Sequence, residues 1–256
     1  MFSLTDTHIH LDAPELKGHG LDFLPEAQQR GINHFVVPGV RVSGWSGLLP
    51  LAKKNESVYL APGLHPAYAD QWNLLAEERL RKIAQQQKVV AVGEIGLDGT
   101  VGPSIQQQEV ALRAQLQIAL DTNLPVLLHT RQATGKLVKI LRELEIGKRI
   151  GGIWHAFSAS LSVAQELVDL GFKLGIGPIL LRENARKLPH AVTALPSASF
   201  VLETDFPDMA EKPEVLLQVA EKIAELRGCT VEEVARITTD NAAQLFRFQD
   251  KSPYGK

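Results

Sequence analysis

IQQQEVALRAQLQIALDTN at residues 105–123, followed one residue later by PVLLHTR at 125–131, is the stretch that decides the fold. In the first segment, apolar side chains recur at helical spacing, which indicates an amphipathic helix. The second segment is short, apolar and rich in Val and Leu, as buried strands are. A helix that leads into a buried strand is the repeating unit of proteins built on a parallel sheet.

The same alternation continues along the chain. Short apolar runs are separated by segments of helical length, and the eight runs lie at 3–10, 33–40, 58–64, 89–97, 125–131, 150–157, 172–178 and 200–207. Further helical patterns lie at 44–55, 74–87, 134–144, 162–170, 214–228 and 230–246. Parallel strands need crossover connections of this length, and eight of them close a (β/α)8 barrel, which a chain of 256 residues fits.

The alternative fold is a doubly wound open sheet. It would need a glycine-rich phosphate turn after an early strand, which this sequence lacks. We therefore predict an α/β fold, a (β/α)8 TIM barrel, as a single domain over residues 1–256 with a frayed polar tail at 249–256.

The composition excludes several classes of protein. A formal net charge of −2 gives no bulk attraction for nucleic acid or membrane, so an anionic substrate must be met by a local site. The single cysteine, Cys229, excludes an internal disulfide and fits a reducing cytoplasm. The first residues carry acid and histidine where a signal peptide would carry basic residues and then an apolar run, so we expect no signal peptide. No apolar stretch of the sequence has the length of a membrane span. We expect a cytoplasmic monomer with no membrane or obligate protein partner.

Imidazole and carboxylate side chains stand near the ends of five of the eight runs, where barrel enzymes carry their active sites. His8 and His10 have the same parity, so their side chains are expected on one face, together with Asp6 and Asp12. The full set of candidate ligands is His8, His10, Glu94, His129, His155 and Asp205. Such a set of nitrogen and oxygen ligands suits Zn²⁺, Mn²⁺ or a similar divalent ion. Six ligands are too many for one tetrahedral zinc ion that keeps an open position, but they suit two metal ions that share a bridging carboxylate.

Six segments carry a resemblance to a known family: DTHIHLD at 6–12, GLHP at 63–66, VGEIGLD at 92–98, QLQIALDTNLPVLLHTR at 115–131, HAFSAS at 155–160 and ETDFP at 203–207. In order and spacing they resemble the signature series of the TatD family of metal-dependent hydrolases, usually described as deoxyribonucleases. The resemblance covers the chain from about residue 3 to 247.

The resemblance implies a cofactor of two divalent metal ions, Zn, Mn or Mg. It places His8, His10 and Asp205 at one ion and His129 and His155 at the other, with Glu94 bridging both. It also implies that Asp205 helps to activate the attacking water, so Asp205 and Glu94 are the expected catalytic residues.

Three further residues are candidates for supporting roles. The resemblance implies that His65 faces the substrate phosphate, although a histidine before Pro66 could instead cap the turn. Arg131 shares the parity of His129 and could contact phosphate or pair with Glu203 or Asp98. Asp98 itself is expected to orient a metal ligand from behind.

The chain departs from the family pattern at three places. Gly99 and Thr100 follow Asp98 where the family has an aromatic residue, and Ala67 replaces a second histidine. After ETDFP, a short DMAEKPEVL segment replaces a longer loop with an arginine and an Asn-Glu-Pro element, of which Pro213-Glu214 remains. We therefore expect contact with only a nucleotide or two, through cations such as Arg131, Arg182 or Arg186.

The predicted function is hydrolysis of phosphodiester bonds in DNA by a two-metal-activated water, with a preference for 3′ ends or small phosphodiesters. The DNA or phosphodiester is expected to bind locally at the metal centre. One alternative is an amidohydrolase that acts on an amide, ester or lactone, since the same ligands would serve. A second alternative is a metal-binding barrel without turnover.

Overall fold

The computed structural model describes residues 2–248, so the predicted frayed tail at 249–256 lies outside the described residues. Each of the eight predicted runs contains or overlaps one strand. The strands are β1 (Leu4–Asp6), β2 (Ile32–Pro38), β3 (Val58–Ala61), β4 (Val92–Asp98), β5 (Val126–Arg131), β6 (Gly152–Trp154), β7 (Phe172–Ile176) and β8 (Phe200–Leu202). Their interiors are buried, as strands covered on both faces must be.

All strand pairs are parallel, and the hydrogen-bonded order is β3-β2-β1-β8-β7-β6-β5-β4. The two edges of this sheet meet through backbone hydrogen bonds just before β4. The Leu60 N–H donates to the Lys88 carbonyl (2.8 Å), and the Val90 N–H donates to the Leu60 carbonyl (2.9 Å). These bonds close the sheet on itself, so the predicted α/β fold with a (β/α)8 barrel is confirmed.

Helices cover the outside of the barrel. They are α1 (Leu24–Gln29), α2 (Trp45–Lys54), α3 (Leu74–Ala84), α4 (Ile105–Thr122), α5 (Thr134–Glu143), α6 (Ile146–Arg149), α7 (Leu161–Asp169), α8 (Lys187–Ala194), α9 (Val215–Arg227) and α10 (Val231–Phe246). The sequence patterns predicted seven of them, and α8 was not among the predicted helices. α1 and α6, with six and four residues, are too short to show a period. In the described part of the chain, no helix has the length and apolar character to cross a bilayer.

The decisive helix, α4, has clear signals at both ends. Its first turn is a capping box, in which the Ser104 hydroxyl accepts from the Gln107 N–H and the Gln107 side chain accepts from the Ser104 N–H. It ends at Asn123, whose φ of 54° is left-handed, a conformation that asparagine tolerates. α4 therefore stops one turn before β5 begins.

The strands are shorter than the predicted runs, most of all the three strands β1, β6 and β8. β1, β6 and β8 end at Asp6, Trp154 and Leu202, so several predicted metal ligands lie on the loops that follow. Single backbone hydrogen bonds still hold these loops to the barrel: Ile9 N–H to Val36 O, His155 N–H to Leu128 O and Asp205 N–H to His8 O. The ligand loops are thus fixed extensions of the strands.

Candidate metal centre

His8 and His10 converge on two carboxylates at the carboxyl end of the barrel. Their Nε2 atoms lie 3.2 Å apart. Nε2 of His10 lies 3.2 Å from Oδ1 of Asp205, and Nε2 of His8 lies 3.4 Å from Oε2 of Glu94. All four side chains are buried. Segments separated by almost 200 residues in sequence therefore present two imidazoles and two carboxylates to one small volume.

The prediction that Asp6 shares this face was wrong. β1 ends at Asp6, and its carboxylate instead accepts hydrogen bonds from the N–H and hydroxyl of Thr204 and from the N–H of His8. The alternation expected of a longer strand does not continue past that point. Asp12 lines a separate cavity beside His10, described below.

Glu94 lies between two groups of histidines. Its Oε2 atom faces His8 (3.4 Å) and His10 (4.0 Å), while its Oε1 atom faces His129 (2.9 Å) and His65 (3.9 Å). Glu94 is the third residue of β4, where the strand is buried throughout. The two carboxylate oxygens point to different imidazole groups, which is the geometry that a bridging ligand needs.

His129, on β5, is held between two carboxylates. Nδ1 lies 2.9 Å from Oε1 of Glu94, and Nε2 lies 3.0 Å from Oδ2 of Asp98. Asp98 also accepts hydrogen bonds from the N–H (2.7 Å) and hydroxyl (2.6 Å) of Thr100. Thr100, in the pair Gly99-Thr100 that follows Asp98, therefore supplies two donors that fix the Asp98 carboxylate.

His155 lies with His8 and Asp205, away from the His129 side of Glu94. Its ring stacks on that of His8 with 3.6 Å between centroids, and its Nε2 lies 3.4 Å from Oδ2 of Asp205. Among the described residues, no group of candidate ligands contains both His155 and His129. Both rings line one cavity, and their assignment to one ion, which the family resemblance implies, stays a prediction.

Glu203 is a site residue that the sequence analysis considered only as a partner for Arg131. Its Oε1 atom lies 2.9 Å from Nδ1 of His155 and accepts the N–H of Ala156 (2.6 Å). A carboxylate behind a metal-binding histidine fixes the ring and raises its basicity. The sequence feature that could have identified Glu203 is its position two residues before Asp205, in the loop after β8.

Asp208 is a second site residue that the sequence patterns did not identify. It is exposed, and its carboxylate forms a candidate metal-binding group with His10 and Asp205.

The electrostatics of the centre favour ionised carboxylates. Burial alone would raise the pKa of Glu94 and Asp205, but the histidines that face them hold both pKa values well below the usual range. Burial lowers the pKa of His8, and His155 lowers it further, which favours the neutral imidazole. At His10 the effect of burial is outweighed by Asp205, and the pKa is raised to about 9.

The donor set fits divalent metal ions. The groups that could each hold an ion are His8/His155/Asp205, His8/His10/Glu94, His65/Glu94/His129 and His10/Asp205/Asp208. Within each group the ligand atoms lie within 4.8 Å of one another. Mixed nitrogen and oxygen ligands of this kind suit Zn²⁺ or Mn²⁺, and a cation would offset the cost of burying two carboxylates together.

His65 and Arg131 line the cavity at this centre, here called the metal cavity, which has a volume of about 470 Å³. Nδ1 of His65 accepts the Ala67 N–H (3.1 Å), so His65 does cap its turn, and its Nε2 faces Glu94. Arg131 is exposed, and within the described residues it forms no ion pair with Asp98 or Glu203. Asp98 contacts His129 instead, and Glu203 contacts His155. Arg182 lines the same cavity.

Comparisons with known proteins agree with this geometry. The family model for TatD related DNase matches residues 5–247. The chain is 35% identical to the uncharacterized metal-dependent hydrolase YjjV of Escherichia coli K12, over 94% of this chain and 96% of that protein. It is 29% identical to the 3′-5′ ssDNA/RNA exonuclease TatD of Salmonella typhimurium, over 94% of this chain and 98% of that protein.

Solved structures also show similarity to a TatD homologue. The crystal structure of the YjjV TatD homologue from Escherichia coli superposes with a TM-score of 0.88 at 34% identity, and covers 95% of this chain and 98% of that one. A phosphotriesterase homology protein from Escherichia coli, at 16% identity and a TM-score of 0.71, shares the fold. On the match of the family model and on its relatives, the chain belongs to the TatD-related family of metal-dependent hydrolases.

Proposed function

We propose that this hydrolase cleaves phosphodiester bonds of DNA, with two divalent ions as cofactors, and that it prefers accessible 3′ ends or small phosphodiesters. The observation that carries the proposal is the position of Glu94, with one carboxylate oxygen toward His8 and His10 and the other toward His129 and His65. One bridging carboxylate with imidazoles on both sides is the arrangement that two metal ions require.

Divalent ions bound there would activate a water as nucleophile and neutralise charge that develops on the phosphate. Asp205 is the base in this proposal, because its carboxylate lies at the centre, 3.2 Å from Nε2 of His10 and 3.4 Å from Nε2 of His155, where it could accept a proton from the attacking water. Glu203 keeps the ring of His155 in place from behind. His65 presents Nε2 to the centre because the Ala67 N–H occupies Nδ1.

Substrate phosphate would enter the metal cavity next to the exposed Arg131 and Arg182. Guanidinium groups bind phosphate oxygens through paired N–H donors. The name of the Salmonella relative, a 3′-5′ ssDNA/RNA exonuclease, supports a nucleic-acid substrate and the 3′ end. The proposal also takes the enzyme to be a monomer and places it in the reducing cytoplasm, and the single cysteine supports that compartment.

A substrate panel tests the proposal. The metal-loaded protein is assayed on a phosphodiester, an amide, a carboxylic ester and a lactone, each with and without chelator. We expect hydrolysis of the phosphodiester alone, its loss on chelation, and a fall of at least about 100-fold in Asp205→Asn, the size of a general-base contribution. Hydrolysis of the amide or lactone in preference to the phosphodiester would instead favour an amidohydrolase, and no turnover of any substrate a metal-binding barrel.

A further inference from the structure

A second cavity, here called the Arg41 cavity, adjoins the metal cavity. It has a volume of about 450 Å³, within the range of small-molecule sites. His10 and Asp208 line both cavities, so a molecule bound at the metal centre can extend from one into the other. The side chains that matter here are His10, Asp12, Glu15, Arg41, Tyr68 and Asp208.

Arg41 lies over the ring of Tyr68 in this cavity, and this stacked pair is here called the platform. Nη2 of Arg41 donates to the Tyr68 hydroxyl (2.7 Å), and the guanidinium carbon lies 4.6 Å from the centre of the ring. Both residues are half-buried, which leaves part of each surface open to a ligand. Nucleobases stack on tyrosine rings and on guanidinium planes, with little regard to base identity.

Hydrogen bonds fix the position of the platform relative to the metal centre. Tyr68 lies three residues after His65, in the short helix Pro66–Gln71. The His65 N–H donates to the Val40 carbonyl (2.9 Å), next to Arg41, and the Val42 N–H donates to the Gln71 side chain (3.2 Å). The two segments are therefore fixed to each other, so the platform requires no rearrangement before it receives a base.

The Arg41 cavity and the metal cavity differ in the charge of the side chains that line them. Three carboxylates line the Arg41 cavity, Asp12, Glu15 and Asp208, against the guanidinium of Arg41 and the ring of His10, which the two cavities share. The carboxylates can accept hydrogen bonds from base amino groups and sugar hydroxyls. A phosphate would bring up to two further negative charges among them and would be repelled. The metal cavity carries Arg131 and Arg182 instead, and so suits the phosphates of the continuing strand.

We propose that the Arg41 cavity binds the terminal nucleoside of a DNA strand with a free 3′ hydroxyl, stacks its base on the platform of Arg41 and Tyr68, and rejects a terminal 3′ phosphate. This inference rests on the proposed function, because the phosphate of that nucleotide occupies the metal centre. It gives a physical basis for action at strand ends: a strand that continued into the Arg41 cavity would place its next phosphate among three carboxylates.

Binding of product-like ligands tests the inference without turnover. Deoxyadenosine 5′-monophosphate and its 3′,5′-bisphosphate are titrated calorimetrically into the metal-loaded protein. We expect the monophosphate to bind at least about tenfold more tightly, because the added phosphate meets the carboxylates. Glu15→Gln should reduce the ratio of the two affinities about two- to fivefold, because it removes one exposed negative charge from the cavity. Glu26→Gln, an exposed glutamate on α1, is the matched control and should leave the ratio unchanged.

Variants of the platform test the stacking. Tyr68→Leu should weaken binding of the monophosphate by about 5- to 100-fold, the range for loss of one base–aromatic stack. Tyr59→Leu is the control, because Tyr59 has Lys88 above its ring at the same 4.6 Å but belongs to a different cavity. Arg41→Met provides a second test if the Tyr68 variant does not fold.

Equal affinity for the two ligands, or no binding of either, would overturn the inference. So would an unchanged affinity for the monophosphate in both Tyr68→Leu and Arg41→Met. These results are distinct from a failure of the proposed function, which would appear as absence of phosphodiester cleavage by metal-loaded protein whatever the titrations give.

Discussion

Thr204 donates both its backbone N–H (3.0 Å) and its hydroxyl to the carboxylate of Asp6. This contact ties the end of β1 to the loop that carries Asp205, so it aligns ligands from the two ends of the chain. Asp6 is fully buried, and burial raises its pKa to about 7, against the opposing effect of the hydrogen bonds from Thr204 and His8.

This pKa predicts a pH dependence of stability for the metal-free protein. The pKa of Asp6 is higher in the folded state than its ordinary 3.8, so the folded state binds the proton more tightly. The contribution of Asp6 to the free energy of unfolding is therefore largest below about pH 4. It falls as the pH rises to about 7, by about 1.4 kcal/mol for each pH unit between the two pKa values. Asp6→Asn should flatten denaturant-derived stability over that range.

Asp70→Asn, at an exposed aspartate, is the control and should keep the wild-type profile. Asparagine can place its oxygen toward the two N–H donors and its amide toward the Thr204 hydroxyl, so the fold should survive the change at Asp6. A wild-type pH profile in Asp6→Asn would contradict the assignment.

Glu94 and His129 should differ in their effect on metal content. Glu94 faces imidazoles on both sides, so Glu94→Ala should reduce occupancy of both sites, whereas His129→Ala should empty mainly one of about two. Elemental analysis of purified protein gives the counts, and exposed His190→Ala should keep the full content. Circular dichroism should stay native in all of them, because the barrel has its own core. Equal losses in the Glu94 and His129 variants would remove the bridging role.

Gly175, on β7, leaves the space that Glu203 occupies. A Cβ at this position would overlap the Glu203 carboxylate, so Gly175→Ala should displace Glu203 from His155. We expect metal affinity to fall about 10- to 100-fold, the range for loss of a partner behind a metal-binding histidine. Gly135→Ala, where a methyl group meets nothing within 4 Å, should leave metal affinity unchanged and stabilise α5 slightly. Unaltered affinity in Gly175→Ala would show that Glu203 does not support the site.

The barrel, and the placement of the candidate ligands at one of its ends, could be predicted from the sequence because both depend on regular patterns. Eight apolar runs with helices between them fix the topology, and it brings the strand ends to one face. The details at the centre depend on tertiary contacts that no periodicity records. Asp6 turns to Thr204 because β1 stops early, and His155 joins His8 because Glu203 holds its ring. Asp205 has a φ of 52°, a left-handed conformation that strand alternation cannot anticipate.

The dependence of DNA binding on salt should be shallow. The metal cavity carries two exposed arginines, Arg131 and Arg182, and Arg186 does not line it. Each phosphate neutralised adds about one unit to the slope of log affinity against log salt, so a single-stranded oligonucleotide should give about −1 to −3. Arg131→Met should reduce the slope by about one unit, and Arg30→Met, at an exposed arginine on α1's carboxyl end, should not. A slope near −6 would mean that a longer basic groove exists.

The central claim is that this metal centre hydrolyses DNA from its 3′ end, and product analysis on 5′-labelled single-stranded DNA tests it most directly. The metal-loaded protein should shorten the strand one nucleotide at a time. Chelation should stop the reaction, and Mn²⁺, Mg²⁺ or Zn²⁺ should restore it. Intact DNA after incubation with folded, metal-loaded protein, or undiminished cleavage in the presence of chelator, would contradict the claim.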